Sequence, residues 1–278
     1  MFKTRVISGA AIAALMLVFA WLGGSYLALF LLCVSVTGLY ELYHATGVLE
    51  EGRYVNAVTC AGYAGTCVYY ILLLCGRADM MTIVFLLVLV FIAIMSVYVF
   101  TFPKYNAASA AYSFFGFFYV SVMLGFIWHT RMLDGGIYIV WLIFFCSWFC
   151  DVFAYCTGML IGKHKLAPVL SPKKSIEGAI GGIVFPTIFG ALYGWCINRY
   201  AFAGFPVAAC AVVTLIGTIV SQIGDLSASA IKRNFGIKDY GNIIPGHGGV
   251  LDRFDSVIFT APMIYFTAEY ILKIYWVR

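Results

Sequence analysis

The chain has 278 residues, of which 63% are hydrophobic, 18% aromatic and only 10% charged. A soluble globular domain carries roughly 25% charged residues, so this composition excludes a soluble protein of this size, and it also excludes a disordered chain, a collagen-like repeat and a disulfide scaffold. The formal net charge of +5 is ordinary for a protein that faces anionic lipid headgroups. The composition therefore predicts an all-α polytopic membrane protein.

Nine apolar stretches along the chain are each long enough to cross a bilayer, which takes about 20 mostly apolar residues in a helix. They lie near residues 6–23, 25–43, 55–75, 80–101, 107–129, 137–161, 178–198, 206–231 and 256–277. Only Gly23-Gly24-Ser25 separates the first two, which predicts a tight hairpin or a segment that dips without crossing. Lys3 and Arg5 precede the first stretch as in a signal peptide, but a second apolar stretch follows at once, so we interpret the first as an uncleaved helix.

The basic residues predict the orientation. Most of the 17 Lys and Arg residues fall on the side that holds the N-terminus and the loops after the second, fourth, sixth and eighth helices. The positive-inside rule makes that side cytoplasmic, and both long polar segments, near 163–178 and 225–255, lie on it. We expect residues 1–140 to be generic transmembrane helices and residues 141–278 to form the catalytic region, within one integral membrane domain.

Several residues are interpreted as lying outside any site. The nine cysteines lie in apolar stretches with no C-x-x-C pair, and although Cys146 and Cys150 share a helix face, we interpret them as packing residues rather than ligands of a soft metal. Glu41 and His44, at the cytoplasmic end of the second span, are interpreted as having no special role.

A carboxylate, Asp151, lies near the middle of the sixth span. An ionisable side chain at that depth costs about 2.5–3.5 kcal/mol on insertion scales, so it normally faces a cavity or a partner. Asp151 is therefore a candidate functional residue, and the alternative is a carboxyl group that ties two helices together.

A basic segment follows the sixth span. It contains Lys163-His164-Lys165 and then Ser171-Pro172-Lys173-Lys174-Ser175-Ile176-Glu177-Gly178. Ser is a favoured N-cap and Pro a favoured first helical residue, so Ser171 and Pro172 predict a helix start. Free backbone N–H groups beside Lys173 and Lys174 would form an anion site. The alternative is a basic loop that only rests on lipid headgroups.

The segment from 225 to 255 is the most polar part of the chain. Asp225 and Ser229 are four residues apart and share a helix face. They are followed by Lys232, Arg233, Lys238, Asp239, Pro245-Gly246-His247-Gly248-Gly249 and Asp252-Arg253-Phe254-Asp255, which opens the last helix. Carboxylates bind Mg²⁺, Lys and Arg neutralise phosphate, and glycines let backbone N–H groups approach a phosphate closely. The residues therefore predict phosphate chemistry on a divalent metal, and the alternative is a polar re-entrant loop held by internal salt bridges.

The order and spacing of these residues resemble the diagnostic pattern of the phosphatidate cytidylyltransferases, or CDP-diacylglycerol synthases. The pattern in this chain is Ser229-x-Ile231-Lys232-Arg233, four residues, Lys238-Asp239-x-Gly241, and then His247-Gly248-Gly249-Val250-x-Asp252-Arg253-Phe254-Asp255. The segment 171–178 and Asp151-x-x-Ala154-Tyr155 resemble further elements of the family, so the resemblance covers about 150–256. Ala228 departs from it, because many relatives are expected to have an acidic residue there.

The resemblance implies a bacterial inner-membrane enzyme that condenses CTP with phosphatidate to give CDP-diacylglycerol and pyrophosphate. It implies Mg²⁺, with a monovalent cation such as K⁺ as a further candidate, a homodimer surrounded by membrane lipids, and no nucleic-acid partner. The implied metal ligands are Asp225, Asp252, Asp255 and Asp151. The implied catalytic residues are Asp225, Asp252, Lys238, Asp239 and His247. The implied substrate contacts are Ser171, Lys173, Lys174, Ser229, Lys232, Arg233, Gly248, Gly249 and Arg253.

The expected reaction needs no strong base, because the attacking phosphate oxygen is already ionised at neutral pH. Catalysis would then depend on in-line positioning and charge neutralisation. The alternatives are a CTP-dependent polyprenol kinase, a synthase that acts on an ether-linked phospholipid, and a transporter of a phosphorylated solute that uses Asp151 and Asp225 as ion sites. A purely structural scaffold would leave the polar cluster at 225–255 unexplained.

Overall fold

The computed structural model describes residues 2–50, 52–201, 204–244, 246 and 248–272. Within them, nine helical segments and one β-hairpin follow each other along the chain. They are α1 (Phe2–Leu22), α2 (Gly24–Ala45), α3 (Ala57–Leu74), α4 (Met80–Phe100), α5 (Ala107–Met132), α6 (Gly136–Ile161), β1 (Lys165–Ala167), β2 (Ser171–Ser175), α7 (Ile176–Tyr200), α8 (Val207–Asn234) and α9 (Leu251–Thr267). A π-helical turn, Ala268–Leu272, extends α9.

Seven of these helices, α2 to α8, are long and apolar enough to cross a membrane. α1 contains a shorter apolar stretch, Ala11–Leu22. The prediction of a mostly helical polytopic membrane protein is therefore confirmed, with a small β-hairpin that the sequence did not predict. Nine crossings and the cytoplasmic orientation stay predictions, and residues 273–277 of the predicted last span lie outside the described residues.

Polar N-cap side chains fix where three of the helices begin. Asn56 Oδ1 accepts the N–H of Thr59 at 2.9 Å before α3, and Asp79 Oδ1 accepts that of Thr82 at 2.6 Å before α4. Asn106 caps α5 in the same way. Such caps satisfy backbone donors that have no partner within the helix. The predicted starts of these spans near 55, 80 and 107 are confirmed.

The first two helices are joined by a single residue. Gly23 has φ 65°, a conformation that glycine adopts at little cost. Phe19 of α1 stacks on Phe30 of α2 with ring centroids 4.6 Å apart. The two helices therefore pack as a tight hairpin, which is one of the two arrangements that the sequence predicted, and a full crossing of the membrane by α1 stays a prediction.

The predicted helix start at Ser171 is wrong. Residues Ser171–Ser175 form β2, which pairs antiparallel with β1, and Lys165 lies opposite Ser175. The N-cap is Ser175, whose hydroxyl oxygen accepts the N–H of Gly178 at 3.1 Å. The fixed φ of Pro172 suits an edge strand as well as a first helical turn, and pairing with β1 favours the strand.

The chain forms two compact units. The first contains Met1–Trp128 with Asn234–Phe254, and the second contains His129–Arg233 with Asp255–Arg278. The first unit is thus built by α1 to α4, most of α5 and the loop before α9, and the second by α6, the hairpin, α7, α8 and most of α9. The expected division into 1–140 and 141–278 stays a prediction.

Glycines let α7 approach both of its neighbours in the second unit. A methyl group at Gly182 would lie 2.9 Å from the β-carbon of Ala154 on α6, and one at Gly194 would lie 2.9 Å from the β-carbon of Cys210 on α8. Gly190, four residues before Gly194, packs against α8 in the same way, since a β-carbon there would overlap Thr214. In lipid there is no hydrophobic driving force between helices, so association depends on van der Waals packing, and small side chains allow the backbones to approach closely enough for it.

Cysteines lie opposite two of these glycines on the neighbouring helices, with Cys150 facing Gly182 and Cys210 facing Gly194. Cys146 and Cys150 are buried free thiols on α6. The Sγ atom of Cys146 lies 3.5 Å from the carbonyl of Thr214 on α8. Their interpretation as packing residues is confirmed.

We expect Gly181→Val to destabilise the protein, because a β-carbon at Gly181 would overlap Thr157 on α6. Overpacking of this kind costs about 1–3 kcal/mol, so the thermal unfolding midpoint in detergent should fall by several degrees. Val184→Ile adds a methyl group at a position that is 46% exposed and serves as the control. An unchanged midpoint for Gly181→Val would contradict the close helix contact.

Candidate functional site

The second unit brings a lysine and a carboxylate from different elements into direct contact. Lys174 of β2 donates from Nζ to Asp225 Oδ2 of α8. The lysine side chain is 31% exposed and the aspartate side chain 22% exposed, so water still reaches both groups. The pair connects the basic segment with the polar segment that the sequence predicted, 51 residues apart in the chain.

Three more charged side chains belong to the same unit. Asp255 of α9 interacts electrostatically with Asp225, Asp151 and Lys232. Lys232 is only 9% exposed. With Lys174, these residues form a group of three carboxylates and two ammonium ions, which we call the lysine–carboxylate cluster.

Local backbone features support this cluster. Asp151 lies two residues after the end of a π-helical turn, Phe145–Phe149, within α6. Single π-helical turns of this kind often occur at functional sites. Gly224 lets α8 approach α9, because a methyl group there would lie 3.1 Å from the carbonyl oxygen of Asp255.

A cavity of about 350 Å³ opens beside the Lys174–Asp225 pair. Its polar lining includes Lys173, Lys174, Asp151, Gln222 and Asp225, and the other side chains that line it include Ala154, Tyr155, Met159 and Leu166. Tyr155 and Met159 are 68% and 67% exposed on α6. The cavity therefore offers charge and an apolar wall together, which suits an amphipathic ligand with an anionic end.

Glu177, in the first turn of α7, binds the two residues that precede the β-hairpin. Its Oε2 accepts the backbone N–H of Lys163 at 3.0 Å, and its Oε1 lies 2.6 Å from Nδ1 of His164. The carboxylate also lies at a helix N-terminus, where negative charge is favoured. Glu177 thereby fixes the chain just before the strands that carry Lys173 and Lys174.

We expect Glu177→Gln to loosen the segment around Lys163 and Lys165, because the amide loses the charge that His164 and two backbone donors share. Trypsin should then cleave after these two lysines several times faster than in the wild type, while the rest of the chain stays resistant. Glu50→Gln, at an exposed surface pair with Arg53, is the matched control. Equal cleavage rates in Glu177→Gln and in the wild type would contradict the inference that Glu177 fixes this segment.

A second group of predicted residues lies in the first unit, in the loop between α8 and α9. One oxygen of Asp252, Oδ2, accepts the backbone N–H of Tyr240 at 2.8 Å and that of Gly249 at 3.0 Å. Asp252 is 7% exposed. Gly248 has φ +83°, and a methyl group there would lie 3.0 Å from Asp252 Oδ2 and 3.2 Å from the β-carbon of Asp239. The loop therefore folds back onto the first turn of α9.

Glu41 closes the same loop from α2, and the interpretation that it has no special role is wrong. It is 2% exposed. Its Oε1 accepts the N–H of Val250 at 2.8 Å, and its Oε2 accepts the N–H of Leu251 at 2.7 Å. A carboxylate inside an apolar helix was the available signal, but its partners lie more than 200 residues further along the chain.

The remaining predicted residues lie on the same elements. Lys173, Arg233, Lys238 and Asp239 are exposed, whereas Ser171, Ser229 and Arg253 are half-buried. Gly249 is buried against Glu41 and Asp252. His247 lies outside the described residues. Gln222, which the sequence did not single out, lines the cavity and donates from Nε2 to the carbonyl of Ala179 at 2.9 Å.

The carboxylates of the second unit are chemically suitable ligands for magnesium. Among the residues that the structure describes, no three His, Cys, Asp or Glu side chains are arranged as a ready metal site. Mg²⁺ does not require one, since it uses one or two carboxylates and takes its other ligands from water and substrate phosphates. Asp225, Asp255 and Asp151 offer such carboxylates, and Lys174 now contacts one oxygen of Asp225.

Similarity to a known protein family extends over most of the chain. The model of the cytidylyltransferase family matches residues 3–271. The phosphatidate cytidylyltransferase of Staphylococcus saprophyticus is 37% identical over 163 residues, which is 58% of this chain and 60% of that relative. Those of Staphylococcus aureus and Staphylococcus epidermidis are 38% and 36% identical with the same coverage. The alignment thus spans about 60% of the length of these curated relatives.

Proposed function

The chain belongs to the cytidylyltransferase family, and on that premise we propose that it transfers the cytidylyl group of CTP to phosphatidate, giving CDP-diacylglycerol and pyrophosphate. The observation that carries the substrate assignment is the cavity beside Lys174 and Asp225, which combines a charged end with apolar side chains. Phosphatidate has the same division, since a phosphate monoester is attached to two acyl chains.

The lipid phosphate would bind with its charge toward Lys173 and Lys174. Hydrogen bonds from a cation to a charged group contribute about 1.5–3 kcal/mol each, more than neutral ones. The acyl chains would lie along the apolar side chains of α6, such as Tyr155 and Met159, which are exposed. This arrangement lets the lipid enter sideways from the bilayer while CTP enters from the aqueous side.

In the reaction, an oxygen of the lipid phosphate forms a bond to the α-phosphorus of CTP, and the bond from that phosphorus to the bridging oxygen breaks. Pyrophosphate leaves with the electron pair of that bond. The attacking oxygen is already ionised, so the protein needs to orient the two phosphates in line and offset their repulsion. Lys174 and Lys232 supply positive charge within the cluster.

Magnesium would be held by Asp225, Asp255 and Asp151 of the second unit, and Asp252 is a further proposed ligand. When bound, it supplies charge neutralisation on the phosphates of CTP. A monovalent cation, a homodimer, the bacterial inner membrane and cytoplasm-facing loops belong to the same proposal. They follow from the family and from the basic residues of the loops.

The substrate assignment is tested by comparing lipids that differ only in the phosphate. Purified protein in mixed micelles receives CTP, Mg²⁺ and either phosphatidate or diacylglycerol of the same acyl composition. We expect CDP-diacylglycerol from phosphatidate alone, because diacylglycerol lacks the attacking phosphate oxygen. Equal consumption of CTP with both lipids would contradict the assignment.

A further inference from the structure

Glu41 is a buried carboxylate of the first unit that binds backbone N–H groups of a distant helix. Both of its oxygens accept backbone N–H groups, those of Val250 and Leu251, at the start of α9. The first N–H groups of a helix have no partner within it, and the positive end of the helix dipole favours an anion there. Glu41 therefore acts as an N-terminal cap that is supplied by a different helix.

The loop is shaped to receive this carboxylate. A methyl group at Gly249 would lie 2.5 Å from Glu41 Oε2, and one at Gly241 would lie 2.6 Å from Oε1. Neither glycine has a positive φ, so their small size, rather than their backbone freedom, makes room for the carboxylate. Side chains larger than glycine would push the loop away from α2.

Glu41 and Asp252 together hold the loop at four backbone donors. Asp252 accepts the N–H groups of Tyr240 and Gly249, and Glu41 accepts the next two along the chain. Asp252 directly follows Leu251, which Glu41 holds. Glu41 therefore holds the backbone at the residue immediately before Asp252.

We propose that Glu41 is a positioning residue for cytidylyl transfer, which holds Asp252 and the loop before it in the reactive arrangement. This inference rests on the proposed function, since it assigns Asp252 to the reaction. Both oxygens of Glu41 are already engaged by the protein, so it acts through Asp252 and does not itself bind substrate. Displacing a catalytic group by about 1 Å can cost 100-fold in rate.

The test is Glu41→Gln, which keeps the size of the side chain but leaves an NH₂ group facing a backbone donor. Turnover is measured in mixed micelles with CTP, phosphatidate and Mg²⁺, and amide hydrogen exchange is measured over residues 240–252. We expect kcat to fall at least about 10-fold with KM for both substrates within about threefold. Exchange should rise in the loop, while the unfolding midpoint falls by only a few degrees.

Two further variants complete the design. Glu50→Gln changes an exposed carboxylate, which is paired with Arg53, and should keep wild-type kcat. Gly241→Ala displaces the same carboxylate without removing its charge, and its kcat should also fall, which keeps the test available if Glu41→Gln does not fold.

Wild-type kcat for Glu41→Gln or Gly241→Ala, counted per folded molecule, would overturn the role of Glu41 and leave only a contribution to stability. Absence of CDP-diacylglycerol from the wild type and from Glu50→Gln would overturn the proposed function itself, and the role of Glu41 in it. The two failures are distinguished by whether the wild-type protein turns over.

Discussion

Asp252→Asn should reduce the conversion of phosphatidate to CDP-diacylglycerol to below about a tenth of the wild-type rate, because removing charge from a metal-centred site costs several kcal/mol. Asparagine is the informative replacement. Its oxygen can still accept the N–H groups of Tyr240 and Gly249 that Asp252 accepts. Alanine would leave those donors without their acceptor, at about 1–3 kcal/mol each, and would mix loss of folding with loss of function.

The control for this variant is Asp79→Asn. Asp79 is an exposed N-cap of α4, and Asn and Asp cap helices about equally well. Its activity and its unfolding midpoint should both stay at wild-type values. Activity above a tenth of wild type in Asp252→Asn, from a protein that is folded in detergent, would remove Asp252 from the proposed metal and phosphate centre.

Lys174→Gln should lower kcat/KM for phosphatidate by about 10- to 100-fold, as expected when one charge-assisted contact to the lipid phosphate is lost. The ion pair with Asp225 is partly exposed, at 31% and 22% of the two side chains. Pairs with this much access to water contribute about 0–1 kcal/mol to stability. A large loss of activity with a nearly unchanged unfolding midpoint would therefore separate catalysis from folding.

Lys165→Gln is the matched control, because Lys165 is exposed on the neighbouring strand β1. It should keep wild-type kcat/KM. If Lys174→Gln and Lys165→Gln behaved alike, general attraction of anions to the hairpin would explain the effect, and a direct contact between Lys174 and phosphate would be excluded.

The membrane helices could be predicted from the sequence because their signal is local. A run of apolar residues bounded by a polar cap, as at Asn56, Asp79 and Asn106, specifies a helix and its start without reference to the rest of the chain. The single glycine between α1 and α2 is an equally local signal. Helix packing through Gly190 and Gly194 was also predictable, since small residues four apart form a flat surface.

The β-hairpin was missed because two local preferences compete in the same residues. Ser171-Pro172 suits a helix start, and it also suits an edge strand. The outcome depends on β1, whose three residues carry almost no strand signal of their own. Ser175, four residues later, supplies the N-cap that the sequence assigned to Ser171.

The members of the site could be named from the sequence more readily than their contacts. Asp225 and Lys174 were each predicted from their neighbours in the chain, but only the structure pairs them. Glu41 was missed for a related reason. Its partners, Val250 and Leu251, offer only backbone N–H groups, which have no sequence signature.

The most direct test of the central claim follows both halves of CTP in one reaction. Purified protein in mixed micelles receives phosphatidate, Mg²⁺ and CTP labelled on its α- and γ-phosphates, with Asp252→Asn in parallel. The account predicts that α-label enters a lipid and γ-label appears as pyrophosphate, in equal amounts, and that Asp252→Asn does this at less than about a tenth of the wild-type rate. γ-Label that enters lipid while α-label is released as CDP would show a kinase reaction and would contradict the account.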